Sequence, residues 1–206
     1  MHVHPRLRSS LPAGAILAAA GLLAAAPVLA QDPAGIPVTD PTTGVTVTMP
    51  IEPQVQEATI PGTDIVIRYY LAVDGETATS FSVFEVTEAD GGYDLDGGVN
   101  GSAEGTGGSV TASTPIVHQG HEGRDFELAV NDPATGAAGI VLSRLLWTGQ
   151  NVVQLQAVGR DTDRARIEEL FAGLVGSLDL GAQALASPGA VGAPGASPQA
   201  SVAPGG

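Results

Sequence analysis

The chain has no cysteine and no lysine among its 206 residues. Without a thiol there is no thiol nucleophile, no disulfide and no thiolate metal site. Lipid attachment after signal cleavage also needs a cysteine, so a lipoprotein route is closed. Without lysine there is no Schiff base, no P-loop and no Ser-Lys dyad. Basic charge is scarce altogether, with eight arginines against 22 acidic residues. Two of the eight, Arg6 and Arg8, fall in the first 30 residues; the rest of the chain keeps six arginines and all 22 acids, a formal charge of −16. A field of that sign repels nucleic acid and anionic lipid. It favours solubility, and as partners a basic protein patch or a small cationic ligand.

The first 30 residues read as an export signal. Arg6 and Arg8 make a short basic region, residues 15–26 (AILAAAGLLAAA) an apolar one, and Pro27 breaks the helix. Val28-Leu29-Ala30 then suits a cleavage site, so Gln31 begins the mature protein and the expected location is secreted or extracytoplasmic. The rival reading is an uncleaved anchor, since residues 11–30 are long enough to span a bilayer. Their Ala- and Gly-rich composition, Pro12, Pro27 and the cleavage site favour processing. Leu7 separates the two arginines, so a twin-arginine route has no support. No second apolar stretch of spanning length follows, and no membrane span is expected after cleavage.

Composition divides the remainder into three parts. Residues 31–43, with Pro33, Pro37 and Pro41, read as a flexible lead. Residues 44–180 carry the patterned apolar residues of one domain, large enough to build the core that a disulfide-free exported protein needs. Residues 181–206 read as a disordered tail. From position 187 onward 17 of 20 residues are Ser, Pro, Gly or Ala, too little apolar surface to offset the entropy of ordering.

Inside the domain the apolar period is mostly two. Val45, Val47 and Met49 alternate up to Pro50, and Ile65, Ile67, Tyr69, Leu71 and Val73 share a face. Phe81 and Val83 lie on one parity and Phe84 and Val86 on the other, which fits a strand covered on both faces or carrying a bulge. Residues 110–118 and 124–131 flank a turn at 120–123. Residues 140–147 are apolar on both parities, and 152–158 pair back across Gly149-Gln150-Asn151. Two segments break this period. Leu95, Val99 and Ala103 form a helical stripe, capped by Asp94 and stopped by Gly107-Gly108. Ile167, Leu170, Phe171 and Leu174 form another over 162–175, started by Asp161 or Thr162, with Phe171 and Leu174 as the expected anchors on the sheet. The reading is α+β, an antiparallel sheet of about six to seven strands packed with two helices.

Several of these pieces resemble the PsbP-like α/β/α sandwiches of small exported bacterial proteins. They are the opening strand up to Pro50, the helix before Ser109 and the hairpin Gly120-His121-Glu122-Gly123-Arg124-Asp125-Phe126. The strand pair 140–147 and 152–158 and the closing Leu174-Val175-Gly176-Ser177-Leu178 belong with them, so the resemblance covers residues 44–180. It implies the fold and a range of binding and assembly roles. It brings no catalytic residue set.

Candidate chemistry is thin. His118 and His121, with Glu122, offer donors for a divalent metal, but they straddle a predicted turn and match no HExxH order. Asp90, Asp94, Asp96, Asn100 and Glu104 form the densest acidic run. It fails as a DxDxDG calcium loop because Gly98 stands fifth from Asp94, so any cation here is held weakly. On a helix, Asp96, Asn100 and Glu104 fall opposite the apolar stripe, as a solvated face does. Asn100-Gly101-Ser102-Ala103-Glu104 is a poor nucleophile elbow, lacking both flanking glycines. Arg124 and Arg144, among apolar neighbours on strands, are expected to pair with acids of the sheet. No cofactor and no catalytic residue is expected. The function that follows is a secreted, non-catalytic binding or accessory domain. The alternatives are a metal-dependent protein or enzyme using His118, His121 and nearby carboxylates, and an envelope-associated structural protein.

Overall fold

A computed structural model describes residues 35–60, 63–86, 92–132 and 135–181. The chain runs β1 (Ile36–Thr39), β2 (Thr46–Met49), β3 (Gln54–Thr59), β4 (Val66–Asp74), β5 (Thr77–Glu85), α1 (Leu95–Thr106), β6 (Ser109–His118), β7 (His121–Asn131), β8 (Ala138–Trp147), β9 (Asn151–Arg160) and α2 (Arg164–Ser177). β3 to β9 form one antiparallel sheet in the order β3-β4-β5-β9-β8-β7-β6. Two meanders, β3–β5 and β6–β9, meet where β5 pairs with β9.

The two helices cover opposite faces. Consecutive residues of a strand point to opposite sides, and Leu145 and Leu146, or Val152 and Val153, fall into separate buried clusters. Leu95, Val99 and Ala103 of α1 pack with Phe126, Leu128, Val141, Leu145 and Val152. On the other face α2 and the β1–β2 hairpin cover Tyr70, Phe81, Leu146, Val153 and Leu155. β5 and β9 are buried over most of their length because both faces are covered. The first of the two readings of β5 therefore holds, and its register to β4 and β9 runs unbroken.

The helix signals hold with adjustments. Asp94 caps α1, its Oδ1 accepting from the Asp96 amide at 3.1 Å, and Gly107 ends it with φ 64°. α2 begins two residues later than its apolar stripe implies, after a 3-10 turn at Asp161–Asp163, with no side-chain cap. Its anchors are Ile167 and Leu174, buried to 0% and 1% exposure, whereas Phe171 is half-buried beside them. Part of the predicted lead is ordered, since residues 36–39 form β1 and pair with β2. The export segment, residues 31–34, Asp90 and the tail from 182 lie outside the described residues. No helix among the described residues is long and apolar enough to cross a membrane.

Candidate functional site

The β6–β7 hairpin turns more tightly than its glycines imply. Only Gln119 and Gly120 lie between the strands, with φ of 49° and 86°, the positive pair that a type I′ turn needs. Gly123, expected in the turn, sits inside β7, where an added Cβ would run into the Leu145 carbonyl and the Leu146 side chain. The tight turn makes His118 and His121 direct cross-strand partners.

His118 faces inward under the end of α2. Arg144 Nη1 lies 3.2 Å from His118 Nδ1. A guanidinium only donates, so Nδ1 is the acceptor and the ring proton sits on Nε2, which is buried with no hydrogen-bond partner among the described residues. Arg144 also grips Asp125 through two bonds of 2.7 Å. Burial and the Arg144 charge push the His118 pKa below 6.5, against the weaker pull of the Leu178 carbonyl and Asp125. Burial and Arg144 thus favour the neutral form of the His118 ring. Gln119 beside it donates to Leu178 O at 2.7 Å and accepts from the Leu180 amide at 3.2 Å. Among the described residues no three His, Asp or Glu side chains gather to hold a metal ion.

The acidic run is dispersed by the fold. Asp94 is the helix cap, and Asp96 pairs with Arg124 at 2.8 Å. Asn100 and Glu104 are exposed on the outer face of α1. Ser102 is buried and donates to the Gly98 carbonyl at 2.9 Å, as a helix-interior hydroxyl does. Both strand arginines are engaged by acids, Arg144 by a neighbouring strand and Arg124 by α1.

The most connected carboxylate was not legible as a candidate. Asp40, fully buried, follows β1 in the turn to β2. Its Oδ1 accepts from the Thr42 and Thr43 amides and the Thr43 hydroxyl, and its Oδ2 from Arg68 at 2.7 Å and the Tyr70 hydroxyl at 3.0 Å. Burial pulls the Asp40 pKa up, but these bonds together outweigh it and hold the carboxyl below 3.8. Burial and the Asp40 charge in turn push the Tyr70 hydroxyl up to about 12. Tyr70 stacks on Phe81, ring centroids 5.0 Å apart.

Beside this hub lies a cleft of about 410 Å³, lined among others by Asp40, Asp64, Arg68, Phe84, Glu85 and Asn151. A second hollow of about 400 Å³ lies past the end of α1, where Arg164 clamps Glu127 and Asp161. The hub and both hollows escaped the sequence reading because their residues come from separate strands. Asp40 and Arg68 are 28 positions apart, and neither belongs to a motif.

The sequence matches no family profile and no curated protein. Solved structures do match. The solution structure of cyanobacterial PsbP (CyanoP) from Synechocystis aligns with a TM-score of 0.51 at 13% identity, over 75% of this chain and 97% of that one. LpqN of Mycobacterium tuberculosis, titled as involved in cell envelope biogenesis, aligns at 0.44 and 12%, over 69% and 88%. A putative regulator of unknown function from Pseudomonas aeruginosa aligns at 0.37 and 11%, over 56% and 90%. The likeness to CyanoP establishes the architecture as PsbP-like, as the sequence resemblance implied.

Proposed function

We propose that this chain is an exported accessory domain that acts by binding a cationic partner, with no chemistry of its own. The observation that carries this reading is the internal use of positive charge. Arg68, Arg124, Arg144, Arg160, Arg164 and Arg166 each hold a carboxylate at 2.5–2.9 Å. Asp64, Glu85, Glu104 and Glu122 stay exposed, so the field at the surface is negative and draws cations. The partner is a basic protein patch or a divalent ion held loosely. Export rests on the N-terminal signal, and the fold by itself names no function.

A thermal-shift screen of the exported protein tests the reading, because a ligand that prefers the folded state raises the melting temperature. Calcium and a lysine-rich peptide are expected to raise it, and polyglutamate to leave it unchanged. Stabilisation by anionic or neutral ligands alone overturns the proposal. N-terminal sequencing of the same sample should begin at Gln31. A chain still starting at Met1 replaces the exported domain with an anchored one.

A further inference from the structure

We infer that the free edge of β3 takes an extended segment of a basic polypeptide, which adds to the sheet as a further strand. The inference rests on the cationic-partner reading above and adds where the partner binds and in what form.

The two edges of the seven-stranded sheet are built differently. β6, at one edge, carries Pro115, which has no N–H to offer, and its register to β7 breaks between Val110 and Ala112. Proline and a bulge are devices that stop another strand from adding. β3, at the other edge, has neither. Its six residues pair with β4 in unbroken register, all six are exposed, and no proline lies within them. No described strand pairs with its outer side.

The direction of its backbone groups follows from the ladder. The Ile60 amide donates to the Ile65 carbonyl at 2.9 Å, so the pair just beyond β3 is a bonded one. Bonded and non-bonded pairs alternate along an antiparallel ladder. Gln54, Gln56 and Ala58 therefore bond β4, opposite Leu71, Tyr69 and Ile67. Val55, Glu57 and Thr59 turn outward, with three N–H donors and three carbonyl acceptors in a row. Such a row is what strand addition uses. The side chains of these three share one face of the sheet, beside Tyr70, Arg68 and Val66.

Charge decides the occupant. Glu52, Glu57 and Asp64 are exposed on or beside β3. The one arginine of β4, Arg68, is committed to Asp40 and Glu57. Both of its contacts with Glu57 fall on Oε1 at 2.9 Å, and no bond to Oε2 falls among the described residues. A second copy would bring the same excess of acid against this edge, whereas a basic segment is drawn to it. Residues directly opposite in an antiparallel pair share a face and interact. A segment with Arg or Lys opposite Glu57 sets that cation against the carboxylate. Its residue two places further on meets Val55, which is 58% exposed. The recognised pattern is a basic residue followed two positions later by an apolar one.

The test is fluorescence anisotropy with the full exported chain at low salt. The probes are dye-labelled Thr-Lys-Arg-Lys-Val-Thr, the same peptide N-methylated on its arginine and valine, and a version with glutamate at its three basic positions. The parent peptide should bind. Methylation keeps the charge but removes two main-chain donors, and should weaken binding about tenfold or more. Val55→Pro removes an outward N–H, spares the bonds to β4, and should weaken the parent peptide to a similar degree. The control pair Asp96→Asn with Glu104→Gln, on α1, should change it by less than about twofold, as a distant surface charge does. In hydrogen exchange the Val55, Glu57 and Thr59 amides should slow as the parent peptide is added. Equal binding of the parent and methylated peptides, or unslowed exchange at these three amides, overturns the added strand and leaves a diffuse cationic preference standing. Protection of the same amides that grows with protein concentration alone overturns the basic occupant in favour of a second copy. Failure of both basic peptides to bind, or tighter binding of the glutamate peptide, overturns the β3 site and the cationic partner together.

Discussion

Asp40 and Asp96 hold arginines at nearly the same distance, 2.7 and 2.8 Å, in opposite surroundings. The Asp40 side chain is 1% exposed and shares its two oxygens among five donors. The Asp96 side chain is 71% exposed and its partner Arg124 also bonds a backbone carbonyl. A buried charge must be satisfied completely, so Asp40 dictates where the β1–β2 turn, Arg68 and Tyr70 sit. Water satisfies Asp96 whether or not Arg124 is there. Nearly equal ion-pair lengths therefore carry unequal structural weight.

Substitution at the hub should give the largest effect. Asp40→Ala leaves Arg68 and Tyr70 without their acceptor and should cost about 3 kcal/mol in urea unfolding, the low end for breaking a buried pair because Arg68 still reaches water. A loss as small as that from Asp96→Ala would erase the contrast. Tyr70→Phe removes a single donor and keeps the ring stack, so about 1.5 kcal/mol is expected from the same measurement. A neutral outcome there would mean that the turn amides and Arg68 suffice.

Acid sharpens the comparison further. His118 titrates lower in the fold than its usual 6.5, so the unfolded chain takes up the proton first and stability falls as pH drops below 6.5. The folded pKa of Asp40 is likewise depressed, so its contribution is present above 3.8 and lost as pH falls through that value towards the folded one. Melting temperature against pH should decline in two stages, and His118→Gln should flatten the first alone. A single decline starting near pH 4 would remove His118 from the account. The smallest effect belongs to Asp96→Ala, which should leave the melting temperature within experimental scatter. A clear drop would show that the Arg124 pair anchors α1.

What the sequence made legible follows the same division. α1 was readable because its start and stop are local, a capping Asp94 and a left-handed Gly107. β5, β8 and β9 were readable as strands because both of their faces are apolar. β4 was readable because Ile67 and Tyr69 keep one face, although Val73 at its end is exposed and Tyr70 and Ala72 are buried on the other face. β3 was not, since all six of its residues are exposed on an edge and no apolar alternation marks it. β1 hid among prolines, and its order comes from pairing with β2. The hairpin was placed around Gly120 and Gly123 because both are glycine, although only the first serves the turn and the second serves close packing. The two histidines read as donors because imidazole chemistry is local to the residue. That Arg144 occupies His118 is a long-range fact, 26 positions away.

The Gln119 amide acts on Leu178 and Leu180 much as a neighbouring strand would, and on its other side this segment bridges β2 through Thr46 and Asp179 at 2.8 and 2.9 Å. The last described residues are therefore stitched to the same hairpin that begins the fold. Ile36 pairs with Met49 at one end of β2 and Asp179 with Thr46 at the other, about 10 Å apart over three residue steps. Tension applied between the two ends of the fold loads this short ribbon directly, with the Gln119 bonds as the side tie to the seven-stranded sheet. Under load the ribbon should detach first, while the sheet, the Asp40 cleft's β4, β5 and β9 walls included, keeps its shape.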